Sequence, residues 1–97
     1  MKYIPVSEEI RSHLKRNNKR YWAGDNISEY VTDKDKELLV DELTEKFEAV
    51  LDSLIIDREN DPNSKGTARR LAKMYIYEIM SGRYEPAPAA TAFPNEG

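Results

Sequence analysis

The chain has 97 residues, of which 34% are charged and 39% are hydrophobic, and its formal net charge is −3. This length allows one small domain, and the absence of cysteine excludes disulfides and thiolate metal sites. The single histidine, His13, together with scattered acids makes neither a zinc site nor a Ser-His-Asp triad. There is no apolar run of membrane-spanning length and no signal-peptide pattern, so we expect a cytoplasmic protein without a membrane partner.

Charge is unevenly distributed along the chain. Residues 1–20 carry a net charge of +4, residues 21–61 carry −9, and residues 62–85 carry +3. Blocks of opposite sign can attract each other within one subunit or between subunits. The acidic middle argues against a general nucleic-acid binder, because such a protein presents a dominant basic face.

The first part of the chain is predicted to be an arm with one short helix. Ser7 can cap this helix, which is expected to end near Arg16 with its acids and bases placed as the helix dipole prefers. A basic run then leads into Tyr21 and Trp22, which we interpret as anchors of the arm on the core or on a neighbouring subunit. Single-stranded nucleic acid, bound by charge and stacking, is the less favoured alternative for this run.

The middle of the chain is predicted to be a helical hairpin, so that the fold class is mainly α. The first helix covers about residues 33–55. Its apolar stripe recurs every three or four residues and consists of Leu39, Leu43, Phe47, Val50 and Leu54. The second helix covers about residues 67–81, is expected to bury Leu71, Tyr75 and Ile79, and packs antiparallel on the first.

The end of the chain is rich in proline and is predicted to be an extended tail. The chain therefore divides into an arm, a helical hairpin and a tail, at residues 1–32, 33–85 and 86–97. A helix pair with a long apolar stripe and two irregular arms does not close a complete core. We therefore expect a homo-oligomer in which another chain covers part of Leu39, Phe47 and Leu54.

The second helix begins with an unusual load of positive charge. Thr67 is predicted to be its N-cap, and Gly82 is placed to close it in a left-handed conformation. A helix dipole favours acids in the first turn, yet Arg69, Arg70 and Lys73 follow the predicted cap. Cations beside free helix amides suit an anion such as phosphate.

Two interpretations of this charge are possible from spacing. Arg70 and Lys73 are three residues apart and share a helix face, which favours a phosphate-binding pair. Alternatively, Asp57, Glu59 and Asp61 fold back onto the cations, whose role is then structural.

The same segment carries a family resemblance. Its sequence, Thr67-Ala68-Arg69-Arg70-Leu71-Ala72-Lys73-Met74-Tyr75 with Ser81-Gly82 after it, resembles the T-P-x-R-[V/I]-A-K-M-Y…SG segment of GTP cyclohydrolase I. Ala68 stands where the family has proline, and proline at the first helical position only pre-sets the backbone. The resemblance covers roughly residues 33–94.

The resemblance implies the N-terminal helical region of an enzyme that acts on a cyclic amidine, converting GTP to 7,8-dihydroneopterin triphosphate for folate, biopterin or modified-nucleoside synthesis. In that family the zinc ligands, two cysteines and a histidine, lie in a later barrel together with the catalytic histidine. We therefore expect a fragment without metal, catalytic residues or activity of its own. Arg70 and Lys73 match family positions near the substrate triphosphate, whereas Arg69 matches a variable one. The alternative is a freestanding helical module for protein interaction or dimerisation.

Overall fold

The computed structural model describes residues 4–86, which form a mainly helical structure without strands in that range. The elements in chain order are α1 (Val6–Arg16), a 3-10 turn (Ser28–Tyr30), α2 (Asp33–Ser53), α3 (Thr67–Met74), a π-helical segment (Tyr75–Ile79) and α4 (Ser81–Tyr84). The predicted antiparallel pair is confirmed, with α3 packed along α2. Of the predicted tail, residues 87–97 lie outside the described residues. None of the described helices combines the length and apolar character that crossing a membrane requires.

Helix α1 begins one residue before the predicted cap, so the assignment of Ser7 as a cap is wrong. Pro5 occupies the cap position with φ of −59°, and Ser7 lies inside the first turn. The backbone amide of Ser7 donates to Glu42 of α2 at 3.0 Å, and its hydroxyl donates to the same carboxylate. The side chain therefore links α1 to α2, because a hydroxyl in the first turn can reach a carboxylate on a packed neighbour.

Helix α2 begins where the sequence predicts and ends two residues earlier than predicted. The Thr32 hydroxyl accepts from the Asp35 amide, and the Asp35 carboxylate accepts from the Thr32 amide, each at 3.0 Å. This reciprocal pair is a capping box, which fixes the start of the helix. Beyond Ser53 the chain turns through Ile55, whose φ of 64° is left-handed and stops the helix.

Helix α3 is not capped by Thr67, contrary to the prediction. Gly66 occupies the cap position with φ of 78°, a left-handed conformation that glycine adopts without steric cost, and Thr67 is already helical. Gly82 does not close the helix either, because within the described residues Gly66 is the only glycine with positive φ. Instead the helix passes through a π-helical segment, where the Met80 amide donates to the Tyr75 carbonyl, and continues into α4.

The face that α3 buries differs from the prediction. Ala68, Ala72 and Ile76 are buried, and Ala72 has no exposed surface, whereas Tyr75 and Ile79 are exposed. Small side chains let the backbones of two packed helices approach closely, so Ala68 and Ala72 are buried. Tyr75 lies at the edge of this contact, with its ring centroid 5.5 Å from that of Phe47 on α2. The sequence pattern favoured the larger apolar residues and therefore selected the wrong face.

The arm and the hairpin share one core. Its buried members come from α1, the segment around the 3-10 turn, the first half of α2, α3 and the π-helical segment, and are Val6, Ile10, Leu14, Ile27, Val31, Leu39, Val40, Ala72 and Ile76. Leu39 is therefore covered within its own chain and needs no partner, contrary to the sequence expectation. Leu43 and Phe47 are partly buried against the same core, whereas Val50 and Leu54 at the end of the stripe are exposed.

The C-terminal turn is tied to the arm by polar contacts. The Arg83 guanidinium donates to the carbonyls of Tyr21, Trp22 and Asp25 at 3.1, 2.6 and 3.0 Å. The Ile27 amide donates to the Arg83 carbonyl at 2.8 Å. These bonds satisfy loop carbonyls that would otherwise lose their hydration on packing, and they join the C-terminal turn to the loop after α1.

Candidate functional site

Arg70 lies over the turn that begins α3. Its amide donates to the Gly66 carbonyl at 3.0 Å, and its Nη2 donates to the Thr67 hydroxyl at 3.3 Å. A Cβ added to Gly66 would lie 3.3 Å from Arg70 Nη1, so the guanidinium passes close to the glycine backbone. The charged group is therefore held at the positive end of the helix, where an anion is favoured.

Arg69, the neighbouring cation, is engaged by α2. Its Nη1 lies 3.0 Å from Asp41 Oδ1, and both side chains are more than half exposed. An exposed pair of this kind contributes little to stability, but it fixes the direction of the Arg69 side chain. Arg69 is therefore occupied by a carboxylate of its own chain.

Lys73 lies in an open groove between α2 and α3. The groove is lined by Glu37, Val40, Asp41, Arg69, Lys73 and Tyr77. The structure thus brings Lys73 together with Arg69, whereas Arg70 lies at the Gly66 turn and does not line the groove. Within residues 4–86 neither Arg70 nor Lys73 forms an ion pair.

The acids upstream of α3 form no ion pair with Arg69, Arg70 or Lys73 in the described range. The alternative in which Asp57, Glu59 and Asp61 fold back onto these cations is therefore wrong. Asp57 accepts from the amide and side chain of Asn60, and these bonds lower the pKa of the Asp57 carboxyl. Asp61 accepts from the Asn63 amide at 2.9 Å. Glu59 forms no ion pair in the described range. These short-range turn contacts direct Asp57 and Asp61 at their own loop.

Tyr21 and Trp22 have different environments. Tyr21 is half-buried and packs on the core, as an anchor of the arm should. Trp22 is 67% exposed, and the Arg20 guanidinium lies 4.1 Å from its ring centroid. Arg20 also pairs with Asp25 at 2.7 Å, and this hydrogen bond is the main reason that the pKa of Asp25 is lowered. Trp22 therefore contacts Arg20 through a cation–π interaction and does not anchor the arm on the core of its own chain, contrary to that part of the prediction.

The residues of this chain do not fit the zinc centre that the family resemblance implies. The chain has no cysteine. Its one histidine, His13, lies edge-on to the Tyr30 ring, with the centroids 4.8 Å apart. Within the described residues no three histidine, aspartate or glutamate side chains are grouped to hold a metal ion. No chemical step in this chain is therefore assigned to zinc.

The sequence patterns did not predict the contacts of two residues, Lys36 and Arg83. Lys36 is buried, and its ammonium group donates to Glu85 at 2.7 Å. The burial of Lys36 could have been predicted, since this residue lies three residues before Leu39 and therefore on the apolar face of α2. Arg83, which binds the loop carbonyls, carried no such signal, because its partners are backbone atoms about sixty residues away.

Comparisons of the chain with protein-family models, with curated proteins and with solved structures find no match. Family membership is therefore not assigned to the chain. What points to a function is the placement of Arg69 and Arg70 in the first turn of α3 and of Lys73 in its last turn, together with the sequence motif that contains them.

Proposed function

We propose that the chain is the helical region of a GTP cyclohydrolase I-type enzyme, which converts GTP to 7,8-dihydroneopterin triphosphate. The observation that carries the proposal is the placement of Arg70, whose guanidinium lies at the positive end of α3 without a carboxylate partner in the described range. The residues of this chain do not fit the zinc centre. In this proposal the metal and the catalytic groups therefore belong to another part of the enzyme, and the chain alone is inactive.

Arg70 then binds the triphosphate of GTP at the Gly66 turn, and Lys73 contributes a second positive charge from the adjacent groove between α2 and α3. A guanidinium offers parallel N–H donors that match the oxygens of a phosphate group, and a lysine adds a mobile point charge. Arg69 takes no direct part because Asp41 holds it. This division agrees with the motif, in which Arg70 and Lys73 match the family pattern and Arg69 occupies a variable position.

A homo-oligomer is part of the proposal, and it also suits the second candidate, a freestanding dimerisation module. Val50, Leu54 and Ile55 are exposed together around the C-terminal end of α2, and Ile55 is 92% exposed. A cluster of large aliphatic side chains in water is typical of a surface that another chain covers. Sedimentation equilibrium of the chain and of Leu54→Glu measures this directly, since a dimer that uses this surface dissociates in the variant.

A chimera tests the enzyme assignment. The chain is joined to the barrel of a GTP cyclohydrolase I from which the native helical region has been removed, and GTP turnover is followed by the fluorescence of the oxidised pterin product. We expect turnover in the chimera. A folded chimera that assembles but does not turn over GTP would contradict the assignment to this enzyme class.

Variants of the chimera test the triphosphate contact. Arg70→Ala should raise the KM for GTP about tenfold with little change in kcat, because a charge-assisted contact made in the ground state is lost. Arg69→Ala is the matched control, since it removes an adjacent arginine that is already paired, and its KM should stay within twofold. An unchanged KM in Arg70→Ala would remove the proposed role. Tripolyphosphate titration of the 97-residue chain, followed through the amide signals of Gly66 to Arg70, gives a second measurement that needs no barrel.

A further inference from the structure

A small cavity lies where α1 meets α2, the loop after α1 and the C-terminal turn. Its volume is about 140 Å³. The floor is apolar and consists of the buried side chains Ile10, Leu14, Ile27 and Leu39. Tyr21 and Tyr84, both half-buried, form the walls. This cavity shares no lining residue with the groove that contains Arg69 and Lys73.

The polar lining of the cavity is positive. Arg11, Arg83 and Ser7 are its charged or hydroxyl-bearing residues besides the two tyrosines, and no aspartate or glutamate among residues 4–86 lines it. The Arg83 guanidinium donates to loop carbonyls, which do not neutralise its charge. Arg11 is exposed and forms no ion pair within residues 4–86. Ser7 is directed at Glu42 on α2.

Size and charge together select a class of ligand. An engineered, enclosed apolar cavity of about 150 Å³ accepts benzene. This cavity is partly open to solvent but has a similar volume, so it has room for one aromatic ring. A guanidinium without a carboxylate partner binds a carboxylate by charge-assisted hydrogen bonds. We propose that this cavity binds a small aromatic monocarboxylate, with its ring on the apolar floor and its carboxylate on Arg11.

Such a ligand would join α1 to the rest of the fold. Ile10, Leu14 and Arg11 belong to α1, whereas Leu39 belongs to α2 and Tyr84 to α4. A compound that binds the folded chain and not the unfolded chain raises the melting temperature as its concentration rises above its Kd. Ligand binding should therefore stabilise the docking of α1, and this effect is independent of the proposed role in GTP turnover.

The test is a titration of the 97-residue chain with benzoate, followed by the methyl signals of its isoleucines and leucines. We expect saturable shifts at Ile10, Leu14, Ile27 and Leu39, and none at the exposed Ile55. Acetate has the charge without the ring, and benzyl alcohol has the ring without the charge. Each should bind at least tenfold more weakly than benzoate. Acetate binding as tightly as benzoate, or shifts spread over the whole surface, would overturn the proposal.

Two matched variants test whether Arg11 binds the carboxylate of the ligand. Arg11→Gln should weaken benzoate binding about tenfold, since it removes the charged donor at the rim. Arg16→Gln, on the same helix but outside the cavity, should leave the Kd within twofold. Both residues are exposed, so neither change removes buried packing. Equal affinity of Arg11→Gln and the unaltered chain would refute the proposed site, whatever the outcome of the GTP experiments.

Discussion

Lys36 and Glu85 form an ion pair in which the lysine is buried and the glutamate is partly exposed. We predict that removing Glu85 lowers stability more than replacing Lys36 does. Lys36 is only 5% exposed, and its Nζ lies 2.7 Å from Glu85 and 3.2 Å from Asp33. The side chains of these partners are far more exposed, at 46% for Glu85 and 99% for Asp33. We compare Glu85→Ala, which leaves the buried ammonium with one weak partner, with Lys36→Met, which keeps the apolar stem.

The expected magnitudes follow from what each change leaves behind. Glu85→Ala leaves a buried charge without its strongest acceptor. A loss of this kind costs about 1–3 kcal/mol, and we expect about 1.5 because the exposed carboxylates show that water lies close to the ammonium. Lys36→Met leaves two carboxylates that water rehydrates, while the methionine chain keeps the packing of the stem. Its cost should therefore be below about 0.5 kcal/mol.

Urea unfolding followed by circular dichroism at pH 7 measures both changes. Thermal unfolding gives a second measurement: for a domain of this size 1 kcal/mol corresponds to about 4–8 °C, so Glu85→Ala should lower the melting temperature by about 6–12 °C. The double variant should resemble Lys36→Met, because removing the ammonium removes the reason for the penalty. If Lys36→Met proves the more damaging of the two, the reasoning from desolvation is wrong.

The same contact has a definite pH dependence. The pKa of Lys36 is raised, mainly by its hydrogen bond to Glu85, with Asp33 contributing less. A raised pKa means that the stabilisation is complete below the unfolded-state value and is lost as the pH rises through the folded-state value. The unaltered chain should therefore lose stability in the alkaline range above the ordinary lysine pKa, and Lys36→Met should lack this loss in the same urea assay.

Three further predictions concern other contacts. Gly66→Ala should lower stability by about 1 kcal/mol in urea unfolding, because φ is 78° there, and should displace the Arg70 signals in NMR spectra. Ala72→Leu should cost about 1–3 kcal/mol, because the site has no free surface, whereas Ala49→Leu on the exposed side of α2 should cost little. Because Arg20 lowers the pKa of Asp25, the stabilisation from Asp25 is present above the ordinary carboxyl pKa and is lost as the pH falls through the lowered value. Asp25→Asn should therefore flatten the acid side of the stability profile.

The features that could be predicted depend on contacts between residues close in sequence. The start of α2 follows from Thr32 and Asp35, whose side chains reach only one turn along the chain. The antiparallel pairing of α2 and α3 follows from their amphipathic patterns and their succession in the chain, with only the loop of residues 54–66 between them. The cationic start of α3 was also evident, because charge and spacing in one helix turn are properties of the sequence.

The features that could not be predicted depend on contacts between distant residues. Which acid would meet Arg69 depended on how α2 lies beside α3, and the packing brought Asp41 to it rather than the nearby loop acids. The choice of Gly66 over Thr67 as the cap is a local exception, since both residues are possible caps and the left-handed φ of Gly66 decides between them. The partner of Arg69 has no signature in local spacing.

The sequence by itself determined that the chain is mainly helical, where α2 begins, and that α3 carries cations at its positive end. Only the tertiary structure decided that Ala68, Ala72 and Ile76 form the packed face, that the arm completes the core, and that Arg70 remains without a carboxylate partner in the described range. The physical reason is that helical periodicity and capping are local, whereas burial and ion pairing depend on which surfaces two helices bring within contact distance.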